Sequence, residues 1–134
     1  MQGLVPRILV VDDEPSVRQA LGALFEHAGF LTVDAASARE ALRQVAEGRG
    51  IDAVVSDVLM PEMSGVEFYD CLREADPELA ERVVFLTGAA RDPRVHGPIE
   101  QRGVPLISKM DDLRLVVDAV RLVLLRRPTP LPES

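Results

Sequence analysis

The chain has 134 residues and a formal net charge of −7, and 47% of its residues are hydrophobic while 28% are charged. A chain of this length fits one domain that buries about two-thirds of its unfolded surface, and a second domain would not fit. The acidic balance argues against direct nucleic-acid binding, no apolar run could span a bilayer, and the start lacks a secretory signal, which together predict a cytoplasmic protein.

Five apolar segments alternate with segments of helical periodicity. They are residues 7–11, 31–35, 51–56, 83–87 and 104–108. This alternation predicts repeated strand–helix–strand units, and therefore an α/β fold with a mainly parallel sheet covered on both faces. We expect residues 1–6 to be a lead-in, 7–126 to form the domain, and 127–134 to be an extended proline-rich tail.

Helix signals are clear in four of the other segments. Pro15 suits the first turn of a helix that ends at Gly29, and Ser37 begins a capping-box pattern for a second helix. A third helix is expected from about residue 65 to 75, and a last one from about 112 to 126. Each of these helices should pack one apolar stripe against the sheet.

Cys71 is the only cysteine, so the sequence excludes an internal disulfide and a cysteine-based metal site. It falls on the third predicted helix close to Phe68 and Leu72, and we expect all three side chains to face the core. Cys71 is therefore predicted to be a small buried hydrophobic residue.

The segment between the fourth and fifth strands carries a weak helix signal. Gly97-Pro98 stands near its middle, and proline removes a hydrogen bond and disfavours helical geometry in the residue before it. The expected domain therefore has five helices, of which the fourth is short or broken.

Chemically suggestive residues follow four of the predicted strands. Asp12 and Asp13 follow the first, Asp57 ends the third, Thr87 ends the fourth, and Lys109 follows the fifth. In a doubly wound sheet, ligands bind outside the carboxyl ends of the strands, where these side chains should converge. Crowded carboxylates raise the cost of ionising one another unless a cation compensates, so a divalent metal and a phosphoryl group are the candidate ligands.

Each of these residues has a plainer interpretation when it is taken alone. Asp12 and Asp13 could cap a helix, Thr87 could be an ordinary strand residue, and Lys109 could be an exposed loop charge. Their joint placement at strand ends favours a site. Lys109 is also the only lysine among 15 basic residues, and a compact ammonium suits a phosphoryl pocket.

Four motifs together resemble the receiver domain of two-component response regulators. The motifs are Val10-Val11-Asp12-Asp13-Glu14, Asp57-Val58-Leu59-Met60-Pro61-Glu62-Met63-Ser64-Gly65, Phe85-Leu86-Thr87-Gly88 and Ile107-Ser108-Lys109. The resemblance covers roughly residues 7–126. It implies a flavodoxin-like doubly wound sheet of five parallel strands in the order 2-1-3-4-5.

The resemblance also implies a phosphoacceptor site. Asp57 would be the nucleophile that attacks a phosphohistidine, supplied by a histidine kinase or a histidine phosphotransfer protein. Mg²⁺ would be held by Asp12, Asp13, Asp57 and the backbone carbonyl of Leu59. Phosphorylation would then switch protein–protein contacts in a two-component or phosphorelay pathway.

Two further residues would position the phosphoryl group without acting as acid or base. Lys109 would pair with its oxygens during transfer, and Thr87 would hydrogen-bond one of them afterwards. The domain would thus be a regulatory phosphoacceptor that assists its own phosphorylation and dephosphorylation, and not an enzyme with a separate substrate. Gly65 is expected to allow a tight turn into the third helix.

Three features depart from the family pattern. Met110 replaces a proline that typically follows a cis bond, so the loop after Lys109 could be trans or strained. Leu106 replaces an aromatic residue that swings inward when Thr87 engages the phosphoryl group, and the Gly97-Pro98 break affects the usual output face. These departures leave open a degenerate receiver that acts as a constitutive interaction module.

Two questions of class and context stay open at the level of sequence. A phosphatase working through an aspartyl phosphate is disfavoured, because Leu59 stands where a second carboxylate would act as acid or base. The segment 78–88 looks like receivers at the carboxyl end of hybrid sensor kinases, although the chain could also be a stand-alone receiver.

Overall fold

A computed structural model describes residues 5–126, so the predicted tail at 127–134 lies outside the described residues. Five strands form one sheet with the order β2-β1-β3-β4-β5, and every neighbouring pair is parallel. The strands are β1 (Arg7–Val11), β2 (Leu31–Ala35), β3 (Ala53–Asp57), β4 (Val83–Thr87) and β5 (Leu106–Ser108). The flavodoxin-like strand order is therefore confirmed.

Six helices accompany the sheet within residues 5–126. They are α1 (Pro15–His27), α2 (Ala38–Ala46), α3 (Gly65–Ala75), α4 (Pro77–Ala80), α5 (Pro93–Arg102) and α6 (Arg114–Leu124). The four-residue α4 was not expected from the sequence; it begins where the Asp76 side chain accepts a hydrogen bond from the Leu79 backbone N–H at 3.1 Å. Within residues 5–126, no helix is long and apolar enough to cross a membrane.

Two hydrophobic cores lie on opposite faces of the sheet. Along β1, Leu9 and Val11 belong to the core that α2, α3 and α5 cover, while Ile8 and Val10 belong to the core that α1 and α6 cover. All five residues of β3 and of β4 are buried. Burial on both faces explains why these strands read as continuous apolar runs in the sequence.

The expected break at Gly97-Pro98 is absent, because α5 is one helix of ten residues. Asp92 caps its first turn by accepting from the Arg94 backbone N–H at 2.9 Å, and Gly103 ends it in the left-handed region at φ 69°. Pro98 removes one intrahelical hydrogen bond, and the ends of the helix still form.

An ion pair between Arg102 and Asp70 also holds α5 in place. The guanidinium of Arg102 donates to the Pro98 carbonyl at 2.8 Å and to both carboxylate oxygens of Asp70 on α3, at 2.9 and 2.8 Å. A bidentate pair of this kind fixes the orientation of both side chains. The α3 and α5 helices are therefore tied together at the surface.

The prediction that Cys71 is buried is wrong, since its side chain is exposed on α3. The buried stripe of this helix passes through Gly65, Phe68, Tyr69 and Leu72. At about 100° per residue, Cys71 falls more than a quarter turn outside the centre of that stripe. Proximity in sequence to Phe68 and Leu72 therefore does not place the Cys71 side chain on the buried face of α3.

Candidate functional site

Three acidic side chains meet at the carboxyl end of the sheet. Asp12, Asp13 and Asp57 each offer an oxygen, and these oxygens lie within 4.8 Å of one another. The register pairs Val11 of β1 with Ser56 of β3, so the residues that follow them end side by side. The structure thus brings together the three carboxylates that the sequence placed on two separate strands.

Asp12 is almost fully buried, with 1% of its surface exposed. Its Oδ1 accepts from the Glu14 backbone N–H at 2.9 Å, and its carbonyl accepts from Arg18 at 2.7 Å. Its Oδ2 lies 3.1 Å from the Lys109 ammonium as an ion pair without hydrogen-bond geometry. Among the described residues, this Oδ2 is the one buried side-chain oxygen or nitrogen without a hydrogen-bond partner.

The oxygens available at this edge suit a hard divalent cation. Carboxylates are the ligands that Mg²⁺ prefers, and the buried Asp12 oxygen that accepts no hydrogen bond is a position that a cation would satisfy. Asp13 is exposed and would face the solvent side of such an ion. The donor set therefore fits the implied metal.

Asp57 lies at the end of β3 with 5% of its surface exposed. One carboxylate oxygen is 3.2 Å from the Lys109 ammonium, and the other accepts a long hydrogen bond from the Leu59 backbone N–H at 3.4 Å. Burial raises the pKa of Asp57 to about 6, the charge of Asp12 adds to the rise, and Lys109 opposes it. Above this pKa, Asp57 is an anion in a site that disfavours its charge.

Gly65 packs directly under Asp57. A Cβ added to Gly65 would lie 2.3 Å from the Asp57 carbonyl oxygen and 2.9 Å from the Val58 Cα. The Gly65 backbone N–H donates to the Val58 carbonyl at 2.7 Å, which closes the loop between β3 and α3. The glycine is thus required by close backbone approach, and its φ lies outside the left-handed region.

Lys109 is the positive centre of the site. Its ammonium lies 3.1 Å from Asp12, 2.9 Å from Glu14 and 3.2 Å from Asp57. Burial opposes its charge, but the hydrogen bond to Glu14 and the charges of Asp57 and Asp12 outweigh burial and raise the pKa of Lys109. The ammonium therefore stays charged throughout the neutral pH range.

The sequence left open whether the peptide bond between Lys109 and Met110 is cis or trans. No cis peptide bond occurs between residues 5 and 126, so the bond before Met110 is trans. The Met110 side chain is 85% exposed, while the Lys109 backbone N–H donates to the Thr87 carbonyl at 2.8 Å. Lys109 is therefore aimed at Asp57 without the family's proline.

Thr87 ends β4 and is fully buried. Its hydroxyl oxygen accepts from the Ala89 backbone N–H at 3.1 Å. With Asp57, Leu59 and Lys109, Thr87 lines an open cleft of about 300 Å³ that leads to the carboxylates. A small phosphorylated group could enter the site along this cleft.

Sequence reasoning missed two residues of the site. Glu14 contacts Lys109 across 95 positions of sequence, and Arg18 joins the Asp12 carbonyl to the Asp34 carboxylate of β2, the latter at 2.9 Å. The only sequence signal for Glu14 was a third acidic residue directly after Asp12 and Asp13. A contact over such a separation depends on the packing of β1, β3, β4 and β5 side by side in one sheet, which a local pattern does not encode.

Comparison with known proteins gives a consistent result. The family model described as the response regulator receiver domain matches residues 8–121. The chain is 34% identical over 129 residues to the transcriptional regulatory protein PrrA of Mycobacterium tuberculosis, covering 96% of this chain and 54% of that protein. It is 38% identical over 86 residues to the sensor kinase CckA of Brucella abortus, covering 63% of this chain and 9% of that protein.

The fold has close structural counterparts. The chemotaxis protein CheY4 of Vibrio cholerae superposes with a TM-score of 0.79 at 27% identity, covering 90% of this chain and 99% of that one. The chain spans about half the length, or less, of the curated relatives PrrA and CckA. The similarity therefore concerns one domain of those longer proteins.

Proposed function

Because the chain belongs to the family of response regulator receiver domains, we propose that Asp57 accepts a phosphoryl group from a phosphohistidine donor in a two-component or phosphorelay pathway. The donor would be a histidine kinase or a histidine phosphotransfer protein. Phosphorylation would then change which proteins the domain contacts. Its placement at the end of a hybrid kinase and the absence of direct nucleic-acid binding remain predictions.

The observation that carries this proposal is the position of Lys109. Its ammonium lies 3.2 Å from the Asp57 carboxylate, beside the buried Asp12, at the end of an open cleft. A buried carboxylate with a raised pKa, a fixed ammonium beside it and a cleft leading to it is typical of a reactive site. The arrangement supports a nucleophilic role for Asp57.

The same residues would hold a metal. Asp12, Asp13 and Asp57, together with the Leu59 carbonyl, would bind Mg²⁺. When bound, the cation would offset the negative charge of the carboxylate and of the incoming phosphoryl oxygens. The Oδ2 of Asp12, which is buried and accepts no hydrogen bond, supports this part of the proposal.

The transfer itself would use three side chains. An Asp57 carboxylate oxygen attacks the phosphorus, a P–O bond forms, and the P–N bond breaks with its electron pair returning to the donor imidazole. The Lys109 ammonium pairs with the oxygens of the moving group, where negative charge concentrates. The Thr87 hydroxyl then donates a hydrogen bond to one of those oxygens.

Intact-mass measurement tests the proposal directly. The protein is incubated with Mg²⁺ and acetyl phosphate beside the variants Asp57→Asn and Asp118→Asn, the latter removing an exposed carboxylate on α6. We expect one phosphoryl adduct on the unaltered protein and on the Asp118 variant, and none on the Asp57 variant. No adduct on the unaltered protein, together with no binding of Mg²⁺, would refute the proposal.

Two observations favour a second candidate, a receiver whose surface does not respond. Leu106 replaces an aromatic residue, and the bidentate pair of Arg102 with Asp70 ties α5 to α3. Hydrogen exchange on the phosphorylated and unphosphorylated protein separates the two functions. A switch changes amide protection in α5 and β5, whereas a constitutive module accepts the phosphoryl group and leaves that protection unchanged.

A further inference from the structure

The Lys109 ammonium already contacts three carboxylates in this structure. They surround it at 2.9 to 3.2 Å, with hydrogen bonds to Glu14 and Asp57 and an ion pair with Asp12. A phosphoryl oxygen arriving at Asp57 therefore competes with these carboxylates for the ammonium. The identity of the carboxylate that gives way determines how readily Lys109 can engage the incoming group.

Glu14 is the partner that can be displaced. Its side chain is 58% exposed, whereas those of Asp12 and Asp57 are buried and are the carboxylates that the metal would engage. An exposed ion pair is worth little free energy, because water solvates both charges once the pair opens. Glu14 also lines the cleft by which a donor would reach Asp57.

The backbone of Glu14 is fixed while its side chain is free for this contact. Its N–H donates to Asp12, and its carbonyl accepts from Val17 and Arg18 at the start of α1. Glu14 is the N-cap residue of α1, but its side chain makes no capping hydrogen bond. The carboxylate instead reaches Lys109 at 2.9 Å from a rigid base.

We propose that Glu14 is a positioning residue that holds Lys109 in competition with the incoming phosphoryl group, and so limits the rate at which Asp57 is phosphorylated. The inference rests on the proposed function of Asp57 and adds a residue to it. On transfer, the ammonium leaves Glu14 and pairs with a phosphoryl oxygen. The Glu14 carboxylate then faces water in the cleft.

Three variants test this inference at saturating Mg²⁺, whose affinity is measured separately for each. Glu14→Gln keeps the shape and removes the charge, and Glu14→Asp keeps the charge but shortens the reach to Lys109. Glu62→Gln removes an exposed charge from the loop after Asp57 and serves as the matched control. The readouts are the rate of adduct formation from acetyl phosphate and the dissociation constant for beryllium fluoride, a phosphoryl mimic, by calorimetry.

We expect Glu14→Gln and Glu14→Asp each to speed adduct formation about two- to fivefold, the range that loss of one exposed ion pair allows. Beryllium fluoride should bind more tightly by a similar factor, a change that a purely structural role would not produce. Glu62→Gln should match the unaltered protein in both measurements.

Two results would overturn the inference while leaving the proposed function intact. One is an unaltered protein that forms the adduct and a Glu14→Gln variant that forms it no faster. The other is acceleration by Glu14→Gln but not by Glu14→Asp, which would assign the effect to charge alone. Failure of the unaltered protein to form any adduct would instead refute the proposed function, and the inference with it.

Discussion

At the scale of single residues, the buried Asp57 carboxylate lowers the stability of the fold when it is ionised. The carboxylate is buried beside Asp12, and its pKa is raised from 3.8 to about 6. A raised carboxyl pKa means that the folded state binds the proton more tightly than the unfolded chain does. The contribution of Asp57 to stability is therefore full below pH 3.8 and is lost as the pH rises through about 6.

We expect Asp57→Asn to raise the free energy of unfolding by about 2–3 kcal/mol at pH 7.5 in the absence of metal, because it removes a buried charge. The gain should shrink toward zero near pH 4, where Asp57 is protonated in the folded state. Urea denaturation with EDTA across this pH range measures the difference. A gain that does not depend on pH would contradict the assignment to ionisation, and Asp118→Asn should show no gain.

The residues of the site were predictable where their position follows from a strand. Asp57 and Thr87 end strands and Lys109 follows one, so the alternating pattern and the family motifs placed them at the same edge of the sheet. Glu14 was not predictable as a partner of Lys109, because the contact depends on side-chain rotamers across two loops. Glu62, at φ 71°, also adopts a left-handed conformation that its residue type does not predict.

At the scale of elements, the loop from β3 to α3 ties Asp57 to a helix. Ser64 and Glu67 form a reciprocal capping box, and Gly65 begins α3 against the carbonyl of Asp57. The cap fixes where the helix begins, and the glycine lets that beginning touch the strand end. The backbone of Asp57 is thus held by β3 on one side and by the start of α3 on the other.

We expect Gly65→Ala to lower the free energy of unfolding by about 1–3 kcal/mol, as overpacking against immobile backbone does. Phosphorylation by acetyl phosphate should also slow, because the Asp57 carbonyl must move. Gly22→Ala in α1 is the matched control, since its new Cβ would lie 3.9 Å from Thr32 Oγ1, an ordinary contact. Equal stability of the two alanine variants would show that the close approach at Gly65 is unimportant.

Helices were less predictable than strands for identifiable reasons. The break assigned to Gly97-Pro98 is absent because both ends of the helix are capped and its residues Val95 and Ile99 pack into the core, which offsets the cost of Pro98. The short α4 follows from Asp76 acting both as the end of α3 and as the cap of the next turn. Both outcomes depend on side-chain contacts that apolar periodicity does not report.

At the scale of the whole molecule, the residues that stabilise the fold and the residues of the site lie in different parts of the sheet. The apolar residues lie on its two faces, and the charged residues of the site lie at its carboxyl edge. The site can therefore carry electrostatic strain without disturbing either core. We therefore expect the folded domain to respond to a cation.

We expect Mg²⁺ to stabilise the unaltered protein and to raise its melting temperature with concentration, because binding to the folded state alone shifts the unfolding equilibrium. At one hundred times its dissociation constant, the cation should add about 2.7 kcal/mol. Chelation by EDTA should reverse the shift. Asp57→Asn should respond less, and an equal response would place the cation elsewhere.

The hydrogen bond at Thr87 has a mechanical consequence. The hydroxyl oxygen accepts from the Ala89 amide, so its own proton remains free to point into the cleft. A phosphoryl oxygen at Asp57 could accept a hydrogen bond from that O–H without competing for the amide. Any displacement of this one oxygen atom would then pull on Ala89, and through it on the short connection that leads into α5.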